Sequence, residues 1–224
     1  MVTILDLINQ IGDKLQSDWM PQAWEESAEI IRRFRERIKG SITDGMLSED
    51  VADFQRDEML TPREQSDLAG AVAADLEFRE NIPLMIVEMR ALLAKSWHDE
   101  MQTLYIRACV AIAVAYNKTT PDGISFESKV TATDLAVLPM LRVDGLTYTE
   151  HLEQTTDGAA LRIRGIVNDA ITRHGSTTNA QREVLDEVDG MLNQITKTIK
   201  MKFENFAIAT EKRAEKDNES VVQG

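Results

Sequence analysis

Residues 83–117 read PLMIVEMRALLAKSWHDEMQTLYIRACVAIAVAYN, and this stretch decides the fold class. Met85, Met89, Leu92, Trp97, Met101, Leu104, Ala108 and Ile112 return at helical intervals, so one face of a long helix is apolar. Pro83 suits a first helical turn, where its missing N–H costs nothing. The spacing therefore predicts a helix from Pro83 to about Asn117. From Ala108 onward the segment is apolar all round, which predicts burial on several sides and makes this helix the spine of the molecule.

The flanking segments carry the same period. Ile4, Leu7, Ile8, Ile11 and Leu15 form one stripe, and Asp18 to Pro21 reads as a break after it. Trp24, Ala28, Ile31, Phe34 and Ile38 mark a second helix, with Gly40 and the turn Thr43-Asp44-Gly45 as its stop. Ser48 and the Thr61-Pro62-Arg63-Glu64 capping box open two further helices, the second with Leu68, Val72 and Leu76 inward. Residues 119–145 read as a linker with little regular structure, apart from a short strand at Phe126 to Val130.

Beyond the linker, Thr147-Tyr148-Thr149-Glu150 is another capping box. A helix from about Ala159 to His174 turns Ile163, Val167, Ala170 and Ile171 inward and stops at Gly175. The last helix starts near Thr178 and runs to about Glu215. Leu185, Val188, Leu192, Ile195, Ile199, Phe206 and Ala209 form a heptad seam along it, interrupted by Lys202. That seam serves equally for packing within the chain and for self-association. The expected organisation is an N-terminal helical domain over 1–118, the linker over 119–145, a C-terminal helical region over 146–215 and a disordered tail over 216–224. The fold class is all-α, a multi-helix bundle with a long central helix and a long amphipathic C-terminal helix.

Composition narrows the function classes. Hydrophobic residues are 43% of the chain and aromatics only 5%, a balance that favours helix-on-helix packing. The formal net charge of −13 repels phosphate backbones, so no direct contact with nucleic acid is expected. The densest basic run, Arg32, Arg33, Arg35, Arg37 and Lys39, reads as a solvated helix face paired with Glu25, Glu26, Glu29 and Glu36. Cys109 is the single cysteine, which fits a reducing compartment. The apolar run Ala108 to Tyr116 is about half what a bilayer span needs, so no membrane role and a cytoplasmic location are expected.

Motifs for chemistry are missing. The residues three before His98, His151 and His174 are Lys95, Tyr148 and Ile171, which rules out the Glu-x-x-His pairs of a di-iron bundle. No cysteine pair or His-Glu-x-x-His stands ready for zinc, and no glycine-rich loop for phosphate. The Asp-Gly pairs at Asp44, Asp122, Asp144 and Asp157 lack the alternating ligands of a calcium loop and read as turns. In Trp97-His98-Asp99-Glu100, His98 and Asp99 diverge by about a quarter-turn on a helix while Trp97 takes the core face. No catalytic, cofactor-binding or metal residue is assigned, no cofactor is expected, and the chain reads as non-enzymatic.

One region carries a family pattern. Gly145-Leu146-Thr147-Tyr148-Thr149-Glu150-His151 opens a helix, a second helix ends at Gly175-Ser176, and a long helix closes on Ala207-Ile208-Ala209-Thr210-Glu211. This order resembles the phage head-morphogenesis family, the Mu F-like minor head proteins. Their members tend to show a Gly-Leu-Thr-aromatic-Ser-Glu-Arg helix start, a Gly-x-Ser turn and an Arg-Thr-Glu near a helix end. Here His151 stands at the first Arg and Ala209 at the second, and the Cys/His-containing portion of longer members is missing. The resemblance covers about a third of the chain. It implies a structural role in a virion or its assembly, in the host cytoplasm or the particle, exercised through helix-mediated protein contacts. The alternative from composition is an acidic helical adaptor or inhibitor of a basic or nucleic-acid-binding partner. Self-association would use Leu185, Val188, Leu192, Ile195, Ile199 and Phe206.

Overall fold

The computed structural model describes residues 3–46, 76–120, 125–128, 130–174 and 177–222. Among them the protein is all-α. The helices are α1 (Ile4–Lys14), α2 (Met20–Met46), α3 (Leu76–Thr119), α4 (Ala132–Val137), α5 (Tyr148–Thr156), α6 (Ala159–His174) and α7 (Thr177–Val222). A π-helical turn, Leu15–Trp19, joins α1 to α2, and a 3-10 turn, Leu138–Met140, follows α4. The helix starts predicted after Ser48 and Thr61 lie outside the described residues, as does the Gly175 stop.

Several boundaries differ from the sequence reading, each for a physical reason. Asp18 to Pro21 does not break the chain: the helical path runs from α1 through the π turn Leu15–Trp19 straight into α2, and Pro21, its second residue, follows directly on that irregular turn. Gly40, Asp44 and Gly45 lie inside α2, which continues to Met46 with Ile42 fully buried beyond Gly40. Burial of that turn outweighs the helix-weakening effect of glycine. α3 begins at Leu76, so Pro83 is inside the helix rather than at its start. Pro83 is flanked by buried Ile82 and Ile86, whose packing holds the helix across the missing hydrogen bond. Leu92 is 42% exposed and Leu93 is fully buried instead, so the inward face is offset by one residue there. Residues 119–145 hold α4 and the 3-10 turn, and 125–128 form no strand. The 216–224 tail is helical as far as Val222.

Contacts divide the chain into two compact units, neither of them sequential. The first comprises Met1–Ala28, Leu93–Leu152 and Ile199–Gly224, and the second Glu29–Leu92 and Glu153–Thr198.

In the second unit, Ile38, Ile42, Ile82 and Ile86 pack with Ile163, Val167, Ala170, Val184, Val188 and Leu192. Ile163, Val167 and Ala170 are inward residues predicted for α6; the side chain of Ile171 lies outside the described residues. Charge pairs rim this core. Arg35 Nε donates to Asp189 Oδ1 at 2.9 Å, and Lys39 also pairs with Asp189. Arg37 pairs with Glu88 at 3.0 Å, and Arg173 bridges Glu183 and Glu187. The two guanidinium and ammonium donors hold the Asp189 carboxyl down to about 2.

The first unit is built on aromatic rings. Trp97 is fully buried and lies 5.4 Å from Phe203, 6.1 Å from Phe206 and 6.3 Å from Tyr148, in tilted or edge-on geometries. Such pairs contribute about 0.5–1.5 kcal/mol each beyond their buried area. Ile11, Tyr105, Ala108, Cys109, Ile112, Ala115, Leu138 and Ala214 continue the core.

The predicted seam of α7 is occupied within the chain. Val188 and Leu192 are buried in the second unit, Ile199 and Phe206 in the first, and Leu185 and Ile195 are half-buried. Phe203, between Ile199 and Phe206 in the first unit, is also buried, where the heptad pattern shows only the interruption at Lys202. Val188, Leu192, Ile199 and Phe206 are thus engaged within the chain, while Leu185 and Ile195 keep part of their surface exposed.

Candidate functional site

The first unit contains a half-open cavity of about 320 Å³, lined by Leu7, Gln10, Ile11 and Lys14 of α1, Trp19, and Ala111, Val114, Ala115 and Lys118 of α3. Thr3 caps α1 through a reciprocal box with Asp6, which fixes the helix start. α1 carries a clear apolar stripe, yet among its residues only Ile11 is buried. Leu7 is half-covered and Leu5 is 64% exposed. The stripe is wider than the core beneath it.

The π-helical turn shapes the cavity's end. The amide of Met20 bonds back to the carbonyl of Leu15, five residues away. Met20 thus takes the buried place below Leu15, and Trp19 lies on the flank beside the cavity. The Lys14 ammonium sits 5.7 Å from the Trp19 ring centroid, a cation–π distance. No ion pair joins Lys14 or Lys118 to a carboxylate among the described residues.

α3 forms the other wall and extends the apolar surface beyond it. Ile106, Val110 and Val114 are 40%, 50% and 46% exposed. At four-residue intervals they form one stripe about 12 Å long. All-round burial was expected from Ala108 onward. Instead, among the described residues, Ala108, Cys109, Ile112, Ala113 and Ala115 are buried while Val110 and Val114 stay exposed, so roughly half of the helix surface meets protein.

His98 Nε2 lies 3.0 Å from the Gln102 amide, one turn on, while Trp97 takes the core. Glu100 is shifted above the usual carboxyl range, first by burial and then by Glu26. Cys109 is buried, which pushes its thiol up and makes it a poor nucleophile. Among the described residues no group of three or more His, Cys, Asp or Glu could hold a metal, and no helix is long and apolar enough to cross a membrane.

The segment carrying the family pattern opens on a tight turn. Val143 and Leu146 exchange both backbone hydrogen bonds, at 2.9 and 3.1 Å. Asp144 and Gly145 sit between them at φ 52 and 81, the left-handed pair of a tight turn. Thr147 and Glu150 then cap α5 reciprocally, at 2.7 and 3.3 Å, as predicted. His151 donates from Nε2 to the Val143 carbonyl at 2.8 Å and meets the Phe206 ring edge-on. Thr210 donates to Met101 Sδ at 3.3 Å, and Glu211 is buried, with its carboxyl shifted up by that burial.

The cavity was missed in the sequence because its walls lie about a hundred residues apart. The available signal was an apolar stripe on α1 and an all-round apolar α3, together more than one core can cover. No known protein family, curated protein or solved structure matches the chain.

Proposed function

We propose that this chain is a non-enzymatic structural or assembly protein that works through helix-mediated protein contacts. The carrying observation is the half-open cavity between α1 and α3, with the exposed stripe Ile106, Val110 and Val114 running from it. Contiguous exposed apolar surface with a polar rim is characteristic of protein contacts. A phage particle is the setting suggested by the resemblance of residues 145–211 to minor head proteins.

The rival reading, an acidic module docking on a basic partner, requires carboxylates arrayed unpaired on one surface. The charge layout favours it less. Glu29, Glu88, Asp144, Glu183, Glu187 and Asp189 are each held by an Arg or Lys of this chain. Surface charge is thus mixed, and an apolar patch accompanies it.

The test is site-specific photocrosslinking in cells that produce the protein. A photoreactive residue at Val110 is compared with one at Leu161, which is 68% exposed on the second unit. Adducts with a defined protein at Val110 and not at Leu161 are expected, and a virion component among them would support the phage setting. Equal or absent adducts at the two positions would overturn the assignment.

A further inference from the structure

Resting on that reading, we propose that the occupant of the α1–α3 groove is an amphipathic helix of a partner protein whose polar flank is acidic. Shape argues for a helix. The cavity of about 320 Å³ has room for one or two large apolar side chains. From Val114 at the cavity's edge the stripe runs out through Val110 to Ile106, about 12 Å in all, a length that matches anchors at i, i+4 and i+7 of a docked helix. A small amphiphile held in the cavity would leave that stripe uncovered.

Charge selects the flank. The chain has a net charge of −13, yet this face presents cations. Lys14 stands at one wall and Lys118 at the other. Arg107, exposed between Val114 and Lys118 when α3 is viewed down its axis, already faces Glu100 of the same helix, so the two lysines carry the charge argument. Lys14 and Lys118 have no carboxylate partner among the described residues. A lysine-rich helix would meet repulsion at both walls. A glutamate-rich one would gain a charge pair on each side of an apolar seam, which sets orientation and speeds association. Trp19, with Lys14 over its ring, supplies the rigid aromatic anchor common at such contacts.

The experiment is isothermal titration of the full-length protein with three synthetic helical peptides of about four turns. One carries a Leu/Phe stripe flanked by Glu, the second the same stripe flanked by Lys, and the third the Glu flanks with the stripe changed to Gln. The Glu peptide is expected to bind about tenfold or more tightly than the Lys peptide at low salt, with the gap narrowing at high salt. The Gln-stripe peptide is expected not to bind. Val110→Asp, on an exposed face, should abolish binding while helical circular dichroism is unchanged. The double variant Lys14→Glu/Lys118→Glu should reverse the preference toward the Lys peptide. Binding of the Lys peptide as tightly as the Glu peptide would overturn the acidic flank while leaving the groove a contact site. No binding of any peptide, or binding unaffected by Val110→Asp, would overturn the helix occupant. Crosslinks formed at Val110 in cells would then still stand for the broader reading.

Discussion

Gly40→Ala separates two incompatible pictures of α2 by the sign of its effect. If Gly40 ended a helix in the left-handed conformation, alanine there would be strained and the protein would lose about 1 kcal/mol or more. In the structure Gly40 lies within α2 and is exposed, and a Cβ built on it meets nothing within 4 Å. Its φ is not among the positive values, which belong to Gly145 and Gly158. Alanine should therefore stabilise, by about 0.8–1 kcal/mol from helix propensity and reduced unfolded-state freedom. For a chain of this size that is roughly 2–4 °C in Tm. The control is Gly145→Ala, at φ 81 in the tight turn before α5, which should lower stability by about 1 kcal/mol. Urea denaturation followed by circular dichroism reads both variants, with the m-value checking that the transition is unchanged. A fall in midpoint for Gly40→Ala would refute the continuous helix through that residue and restore the break read from the sequence.

Phe206→Ala removes a fully buried ring that touches Trp97, Tyr148 and His151, and should cost about 3–5 kcal/mol by urea denaturation. Asp189→Asn should cost about 1–2 kcal/mol near neutral pH, because Arg35 and Lys39 lose their shared carboxylate and the site is partly solvated. The folded carboxyl is depressed, so its contribution is present above the unfolded value near 4 and is lost as pH falls toward about 2. Denaturation curves of the two proteins should accordingly converge across that interval. Cys109 should react with a thiol reagent only at the rate of opening of the first unit, and addition of urea to the transition midpoint should release it.

Local chemistry was the readable part. The capping box at Thr147 and Glu150, the inward face Ile163, Val167 and Ala170, and the core position of Trp97 all follow from signals within a few residues of themselves. Stops were over-read. Gly40 and Pro83 weaken a helix by amounts that burial of Ile42, Ile82 and Ile86 overrides, and that burial depends on residues far along the chain. The heptad pattern on α7 marked real core positions at Val188, Leu192, Ile199 and Phe206, but periodicity cannot tell an internal partner from an external one. The groove was invisible for a related reason. Which of the apolar positions on α1 and α3 stay uncovered depends on how far the core extends, and composition carries no record of that.

The π-helical turn between α1 and α2 has one more consequence, for length. A five-residue turn is an α-turn carrying one residue too many. Removing any one of Gln16, Ser17 or Asp18, all exposed, would leave Leu15 and Met20 four apart, still on one face of an ordinary helix. The chain can thus shorten by one here without turning the buried side chains of either neighbour toward water. Elsewhere in a long helix the same deletion would rotate everything beyond it by about 100°. Leu15–Trp19 is the place where single-residue length differences between variants of this protein are best absorbed.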